Sequence, residues 1–468
     1  MARVLMVGGG ICGLAGALML ARDGHEVTVL ERDAAPIPES PDGAWEDWAR
    51  DGVTQFRQAH FLAPGGRGVL EDTLPDVLDA LREAGATRFD ALGFLPPMIA
   101  GQGPRAGDER FVTFTARRPV MEQVVGTAAE REPGLEVRRG TSAAGLIAAP
   151  RGAVTHVSGV RLDTGETVDA DVVVDAMGRR SQFPRWLADV GVGPVEEEAE
   201  DSGFIYYGRY FRSADGSIPP LYAPVLTPIG SFSILTLPGD NGTWAVGFVT
   251  ATGDKPLKGL RHRDRWEAVL RACPAHAHWL DGEPLNEMQA MGGLVDRYRR
   301  LAPDGRPQVT GVALLADAYS CTNPSLGRGI SLGLMHARCL RDTVSSMADD
   351  AVGFAEAWDS ATESELTPWY RDTLEEDRSR LAEMEALREG REPPPPSAAT
   401  ALRNAVIAAG MSDPDVFRIF LDSRVCIRRL GDALSDPDTA ARVFEVADGH
   451  SPFQFPGPDR GELLRLLG

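Results

Sequence analysis

The sequence predicts an α/β fold, in which a Rossmann-like nucleotide-binding domain carries an inserted antiparallel β-sheet domain and is followed by a helical C-terminal region. Three observations predict it. A strand–glycine turn–helix–strand unit occupies Val4 to Arg32, aromatic and β-branched runs cluster between Phe204 and Val249, and charged helical patterning fills the chain beyond residue 346.

The first unit opens with the apolar run Val4-Leu5-Met6-Val7, then Gly8, Gly9, Gly10 and Gly13, an apolar helix pattern through Leu20, and a second strand from Val27 to Leu30 that closes on Glu31. Gly8 lets the chain leave the strand in a tight turn, Gly10 lets backbone approach a pyrophosphate, and Gly13 lets the helix pack flush on the strands. Phosphates then meet free N–H groups at the helix N-terminus, where charge and dipole agree. Glu31 follows Gly13 at about the distance expected of the acid that takes ribose hydroxyls. A purely structural glycine turn leaves Glu31 unexplained. A secretory signal is the other reading of the apolar Ile11 to Ala21 run, but it lacks a small-residue cleavage site and leads into another strand.

Composition bounds what such a domain serves. At 468 residues, two or three sub-domains are expected, and 43% apolar with 25% charged residues is ordinary for a soluble globular chain. The net charge of −20 opposes nucleic acid and anionic membranes as partners. Only Lys255 and Lys258 are lysines, so a lysine-dependent mechanism has few places to reside. The five cysteines, Cys12, Cys273, Cys321, Cys339 and Cys426, form no CxxC pair. Neither a disulfide framework nor a metal site is indicated, and reduced thiols in the cytoplasm are the expectation. No apolar run reaches the roughly 20 residues a bilayer span needs.

Beyond Glu31, the Pro- and acid-rich stretch Pro36 to Asp42 and the segment bearing Trp45 and Trp48 read as a surface excursion. Amphipathic helices follow around Val69–Leu74 and Val77–Ala84. Phe111 to Thr115 alternates like a strand, and Pro119 suits the first turn of a helix through Met121, Val124 and Val125. Val137 to Arg139, Val157 to Leu162 and Val172 to Val174 read as strands, the last ending at Asp175-Ala176-Met177-Gly178, with Ser181 as a helix cap. The acidic stretch Glu196 to Asp201 reads as a loop. Phe204–Phe211, Ser231–Leu237 and Thr243–Val249 then form an antiparallel system, with Pro238-Gly239-Asp240-Asn241-Gly242 as a turn. From Val309 the strand–helix alternation returns, as Val312–Ala316 and a helix over Ile330–Ser345. Residues after 346 are helical and charged, with Pro393 to Pro396 as a stiff spacer. The expected domains are 1–190 with 295–345, an inserted sheet over 191–294 to which 75–110 contribute, and a helical region over 346–468.

Three segments together resemble the FAD-dependent oxidoreductases with the aromatic hydroxylase fold, the group A flavoprotein monooxygenases. They are the N-terminal fingerprint, the segment Asp171-Val-Val-Val-Asp-Ala-Met-Gly-Arg-Arg-Ser181, and Leu315-Ala-Asp-Ala-Tyr-Ser-Cys-Thr-Asn-Pro-Ser-Leu-Gly-Arg-Gly329, which is similar to the family's Gly-Asp stretch followed by Pro-x-x-Gly-x-Gly. Physically, Asp317 at a strand end accepts ribityl or ribose hydroxyls, while Pro324, Gly327 and Gly329 bring bare backbone against a flat ring at a helix N-terminus. A glycine-rich strand-to-helix connection without ligand is the alternative.

The chain departs from the pattern twice. Ala316 replaces the family's Gly before the aspartate, and Met177-Gly178 stands where many hydroxylases carry Asp-Gly. The Met-Gly version is similar to the halogenase, epoxidase and prenyl-reductase side of the superfamily. Halogenases also use Trp-x-Trp-x-Ile-Pro and a catalytic lysine, both missing here.

The resemblance also implies roles at Arg118, where the family places an arginine near the FAD phosphates and ring, and at His60 in a stretch that borders flavin. Arg32 beside the ribose acid and Arg328 in the ring turn are further candidates, Arg328 for an acidic or carbonyl group of substrate. Each also reads as an ordinary surface or structural residue. Phe204, Tyr206 and Tyr210 share strand spacing, so either the two tyrosines face a planar substrate or they pack within the sheet.

What the family implies is a monooxygenase that uses NAD(P)H and O₂, through a flavin C4a-hydroperoxide, to hydroxylate or epoxidise an apolar or aromatic secondary-metabolite-like molecule. No second GxGxxG unit exists, so NAD(P)H binds transiently or a flavin reductase delivers electrons. Two alternatives stand beside it: an FAD-dependent reductase or dehydrogenase acting on a carbon–carbon bond, and a non-redox cyclase or binding protein with structural FAD.

Overall fold

A computed structural model describes residues 1–152, 154–448 and 454–468. Its centre is a five-stranded parallel sheet in the order Val312–Leu314, Val172–Asp175, Arg3–Val7, Glu26–Glu31, Leu135–Arg139. Period-two alternation sorts its side chains. Val4, Met6, Val27, Val29 and Val174 turn to the face covered by the helices Ile11–Arg22, Arg118–Arg131 and Gly329–Met347, while Leu5, Val7, Leu30 and Val173 turn to the other. Both faces are covered, which is why these strands are continuously apolar. The second face is overlaid by a four-stranded sheet built on Ala143–Arg151 and Val154–Leu162, and by Phe183 and Leu187 of the helix Phe183–Asp189.

The antiparallel sheet runs in the order Leu226–Ile229, Phe232–Pro238, Thr243–Ala251, Phe204–Arg212, Glu283–Pro284. Phe232, Ile234, Val246, Phe248 and Phe211 form a core on one face with Trp266 of the helix Arg263–Arg271 and Leu463 and Leu467 of Arg460–Leu467. Its opposite face, with Ser233, Leu235, Leu237 and Val249, lines a large cavity. Residues 75–110 reach this sheet through Ala86, which bridges to Asp240.

Two expectations are corrected. Glu196–Asp201 is a strand, not a loop: it pairs with Val295–Arg300, and Arg297 and Arg299 from that partner strand, with Arg371 and Arg378 from the helix Thr367–Glu389, form ion pairs with Glu197, Glu198 and Glu200. Cross-strand and cross-element charge pairing stabilises a stretch whose own propensity opposes a strand. The excursion is a surface segment only in its first half: Pro36, Glu39, Ser40 and Asp42 are exposed. Trp45 and Trp48 are buried, and Trp48 packs against Ala44 and Phe56.

The C-terminal helices Ala351–Glu365, Thr367–Glu389, Ala398–Gly410, Pro414–Arg424, Pro437–Ala447 and Arg460–Leu467 fold back on the body. Asp350, Ser397 and Asp413 each accept backbone N–H bonds at helix starts, the expected role of such residues. Gly65 N–H donates to the Val425 carbonyl at 2.9 Å, tying this region to the helix Pro64–Thr73.

Candidate active site

Gly8 sits at φ 115°, where a Cβ would lie 2.5 Å from the Ala176 carbonyl oxygen. At Gly13 a Cβ would lie 2.4 Å from the Gly8 carbonyl oxygen, so these two glycines are required by the protein itself. Gly10 differs: nothing lies within 4 Å of where its Cβ would stand. That open space faces the cavity at the N-terminus of Ile11–Arg22, whose first N–H groups lack intrahelical partners.

Glu31 closes the second strand with a carboxylate that accepts Gly9 N–H at 3.0 Å, Asp33 N–H at 2.9 Å and Arg50 at 2.7 Å. A carboxylate has about four acceptor positions, so one remains for a ribose hydroxyl. Arg32 is exposed and lines the same part of the cavity. The organising residue here is one that sequence reasoning missed. Arg50, its side chain 1% exposed, binds Glu31, Asp33 and Glu122 at 2.7, 2.8 and 2.8 Å and the Gly9 carbonyl at 3.2 Å. Only the Arg118–Glu122 spacing of four residues on a helix hinted at this network.

Glu122 also binds Arg118 at 2.7 Å, and Arg118 donates to His60 Nε2 at 3.0 Å. A guanidinium only donates, so Nε2 is the acceptor and Nδ1–H donates to the Gln58 carbonyl at 2.9 Å. Burial, then the Arg118 charge, push the imidazole down to about 3. His60 is therefore a neutral link that orients Arg118, not an acid–base group at neutral pH. Its native pKa lies below its unfolded value of about 6.5, so the unfolded chain binds the extra proton and this contribution to stability falls as pH drops through that range. Urea midpoints of wild type and His60→Gln at about pH 7.5 and about pH 5 are expected to converge at the lower pH; a gap that widens refutes the assignment.

Asp317 follows the strand Val312–Leu314 and lines the cavity. Among the described residues it makes no hydrogen bond or ion pair; burial pushes its carboxyl up against the pull of Arg118 and Arg179. An acceptor kept free at the cavity wall is what a polyol ligand requires. Ala316 before it stands at φ 52°, and its N–H donates to the buried His336 Nδ1 at 3.0 Å. This left-handed geometry is the physical reason for glycine in the family pattern. Ala316→Gly is therefore expected to raise the melting temperature by about 1–2 °C, read by thermal denaturation; a lower value would contradict the strain.

The Pro324–Leu326 turn ends on Gly327 at φ 64°, and nothing lies within 4 Å of a Cβ at Gly329, which opens the helix Gly329–Met347. Pro324, Gly327, Gly329 and Met177 all line the cavity. So do Gly8, Gly10, Gly13, Glu31, Arg32, Arg118 and His60: one cavity of about 1330 Å³ joins them. That exceeds the roughly 300–1,000 Å³ of a site for one drug-sized ligand and leaves space for a second molecule.

The second chamber is walled by Phe204, Leu235 and Val249 of the antiparallel sheet and by Ile407, Phe417, Phe420 and Leu421 of the C-terminal helices. That helical wall was also not read from the sequence. Tyr206 and Tyr210 are corrected: neither lines the cavity. Tyr206 donates to Asn323 at 2.6 Å, and Tyr210 donates to the Gln58 carbonyl at 3.2 Å and packs edge-on to Trp45 at 4.8 Å. Arg328 is corrected too. It points away from the chamber, donating to Thr373 at 3.0 Å and the Ser423 carbonyl at 3.1 Å, with Trp369 beneath it at 5.2 Å.

These residues fit an FAD: open glycine backbone at a helix N-terminus, an acid with a free acceptor position, a free aspartate midway and a bare glycine turn at the ring end. No protein-family model matches the chain. It is 26% identical over 362 residues to the Mycobacterium tuberculosis protein Rv3254, covering 72% of each, and 26% identical over 378 residues to a menaquinone reductase of Mycolicibacterium smegmatis, covering 76% of this chain and 79% of that one. Among solved structures it superposes on PqsL of Pseudomonas aeruginosa, a probable FAD-dependent monooxygenase, with a TM-score of 0.56 and 18% identity, over 82% of this chain and 99% of that one. The chain has the flavoprotein monooxygenase fold. Among the described residues no group of side chains suits a metal ion, no helix is long and apolar enough to cross a membrane, and all five cysteines are free.

Proposed function

We propose that the chain is an FAD-dependent monooxygenase that uses NAD(P)H and O₂ to hydroxylate or epoxidise an apolar or aromatic small molecule. The observation that carries this reading is the single cavity running from the glycine turn, past Asp317 and the Pro324–Gly329 turn, into an apolar chamber. Gly8, Gly10, Gly13, Glu31, Arg32, Arg118, Asp317, Pro324, Gly327 and Gly329 would hold the FAD. Bound FAD supplies electron acceptance from NAD(P)H and activation of O₂.

The chain's own residues do the rest. Arg50 and Gly9 N–H fix the Glu31 carboxylate, which would take a ribose hydroxyl, the Glu122 and His60 contacts orient Arg118, which would meet the FAD phosphates, and Asp317 would take hydroxyls. The sheet and the C-terminal helices exclude water from the substrate and hold it beside the Pro324–Gly329 turn. Electrons arrive from transiently bound NAD(P)H or from a flavin reductase. Free thiols accord with a cytoplasmic protein.

The test combines flavin content, NADPH-dependent oxygen consumption and product mass under ¹⁸O₂. Incorporation of one labelled oxygen atom is expected. A second reading, reduction of a carbon–carbon bond, is favoured by Met177 where hydroxylases carry aspartate and by the menaquinone reductase relative. Flavin reoxidised by an unsaturated quinone side chain or enone without oxygen uptake would establish that reading instead. A purified chain without FAD would sink both.

A further inference from the structure

The substrate end of the cavity holds a charge excess. The helices Thr367–Glu389, Ala398–Gly410 and Pro414–Arg424, together with the Arg328 turn, bring three guanidiniums around one carboxylate. Arg424 binds Glu376 at 2.5 Å, Arg328 stands at 3.6 Å and Arg403 at 3.9 Å. One carboxylate balances one cation, and two positive charges remain in a chain whose net charge is −20.

Their positions differ. Arg328 is held behind the wall by Thr373, Ser423 and Trp369. Arg403 and Arg424 line the cavity, and beyond Glu376 Arg403 has one long bond to Ser379 at 3.4 Å, while Arg424 lies over the Phe420 ring at 5.7 Å. The other charges at this end are already engaged. Arg380 pairs with Glu383 and donates to Gly230, Phe232 and Ser233; Asp372 pairs with Arg429; and Glu375, half-buried outside the cavity lining, accepts the Thr400 hydroxyl, which orients its charge without cancelling it. Asp377 accepts Ser325 at 2.8 Å, and burial beside Asp296 and Glu376 pushes it up to about 7, so it offsets at most part of the excess. Around the two arginines the wall is apolar, with Phe417, Phe420 and Leu421. Like charges gathered beside an apolar chamber repel one another, and an anion from outside relieves that repulsion.

We propose that Arg403 and Arg424 form an anion subsite for a carboxylate carried by the substrate, with Glu376 and Arg328 as positioning residues. This rests on the oxidoreductase reading of the cavity and narrows its substrate class to an apolar body bearing an acidic group. Arginine suits the role because its planar fork meets a carboxylate with paired N–H donors.

The probes are 2-naphthoate and 2-naphthamide, which share their rings and differ in charge. Each is titrated by calorimetry into the full chain as isolated, without NAD(P)H. Naphthoate is expected to bind about tenfold tighter than naphthamide, with a gap that narrows at high salt. Arg403→Gln and Arg424→Gln should each remove most of that gap while leaving naphthamide affinity and the flavin spectrum unchanged. Glu376→Gln keeps an acceptor oxygen that orients Arg424 but removes the competing charge, and should tighten naphthoate several-fold, an effect that a merely structural cluster would not produce. Equal affinities for the two probes, binding of neither, or weakening by Glu376→Gln would overturn the subsite. Turnover is read separately: a chain that binds naphthoate through these arginines but transfers no oxygen keeps the subsite and loses the monooxygenase reading.

Discussion

Replacing Arg50 by methionine is expected to destabilise the chain by about 3–5 kcal/mol and to strip it of FAD. The guanidinium is almost completely buried and binds three carboxylates, whose side chains are 7%, 13% and 0% exposed at Glu31, Asp33 and Glu122. Without it, Glu122 keeps Arg118 alone, and Glu31 keeps two backbone N–H groups. Buried carboxylates left without a cation cost far more than the pairs contributed. Guanidinium denaturation, with the ratio of flavin to protein absorbance, measures both effects. The double variant Arg50→Met/Glu31→Gln should recover part of the stability because it removes one stranded charge. Full flavin occupancy and an unchanged midpoint in the single variant would refute the role.

The parts of the site legible in the sequence are those where backbone geometry dictates the residue. Gly8 and Gly13 are fixed by carbonyl oxygens under 3 Å from where a side chain would begin, whereas Gly10 and Gly329 border open space that a ligand would fill. Asp317 was legible for a related reason, since its strand and its turn determine where it points. Arg50 was not. It lies in an irregular segment without periodicity, and its three partners come from a strand end, a position two residues beyond it and a helix. The strand Glu196–Asp201 was invisible because its stability comes from arginines about 100 to 180 residues away. Tyr206 and Tyr210 show the limit of strand periodicity, which gives the face a side chain occupies but not what stands opposite: Asn323 and Trp45 fill the space that a substrate would have taken.

Gly65 controls the other end of the cavity, and Gly65→Ala is expected to open it while leaving the flavin end intact. An added Cβ would stand 1.9 Å from the Cys426 carbonyl oxygen and 2.5 Å from its carbonyl carbon, both backbone atoms that no rotamer change moves aside. Cys426 itself is held at φ 60°, an unfavourable geometry for a residue with a side chain, and the Gly65 N–H to Val425 bond pins the same segment. Alanine must therefore displace Val425–Cys426, and with it the end of Pro414–Arg424, whose Phe417, Phe420, Leu421 and Arg424 wall the substrate chamber. A cost of about 2 kcal/mol or more is expected, in the range of mutations that force a backbone shift. Gly8, Glu31 and Asp317 lie on the parallel sheet and its turns, so the flavin-to-protein absorbance ratio should hold. Protease cleavage within residues 390–430 should accelerate, and 2-naphthoate affinity should fall about tenfold as the apolar wall and Arg424 separate from the cavity. Loss of flavin in step with loss of probe binding would show instead that the two chambers fold as one cooperative unit.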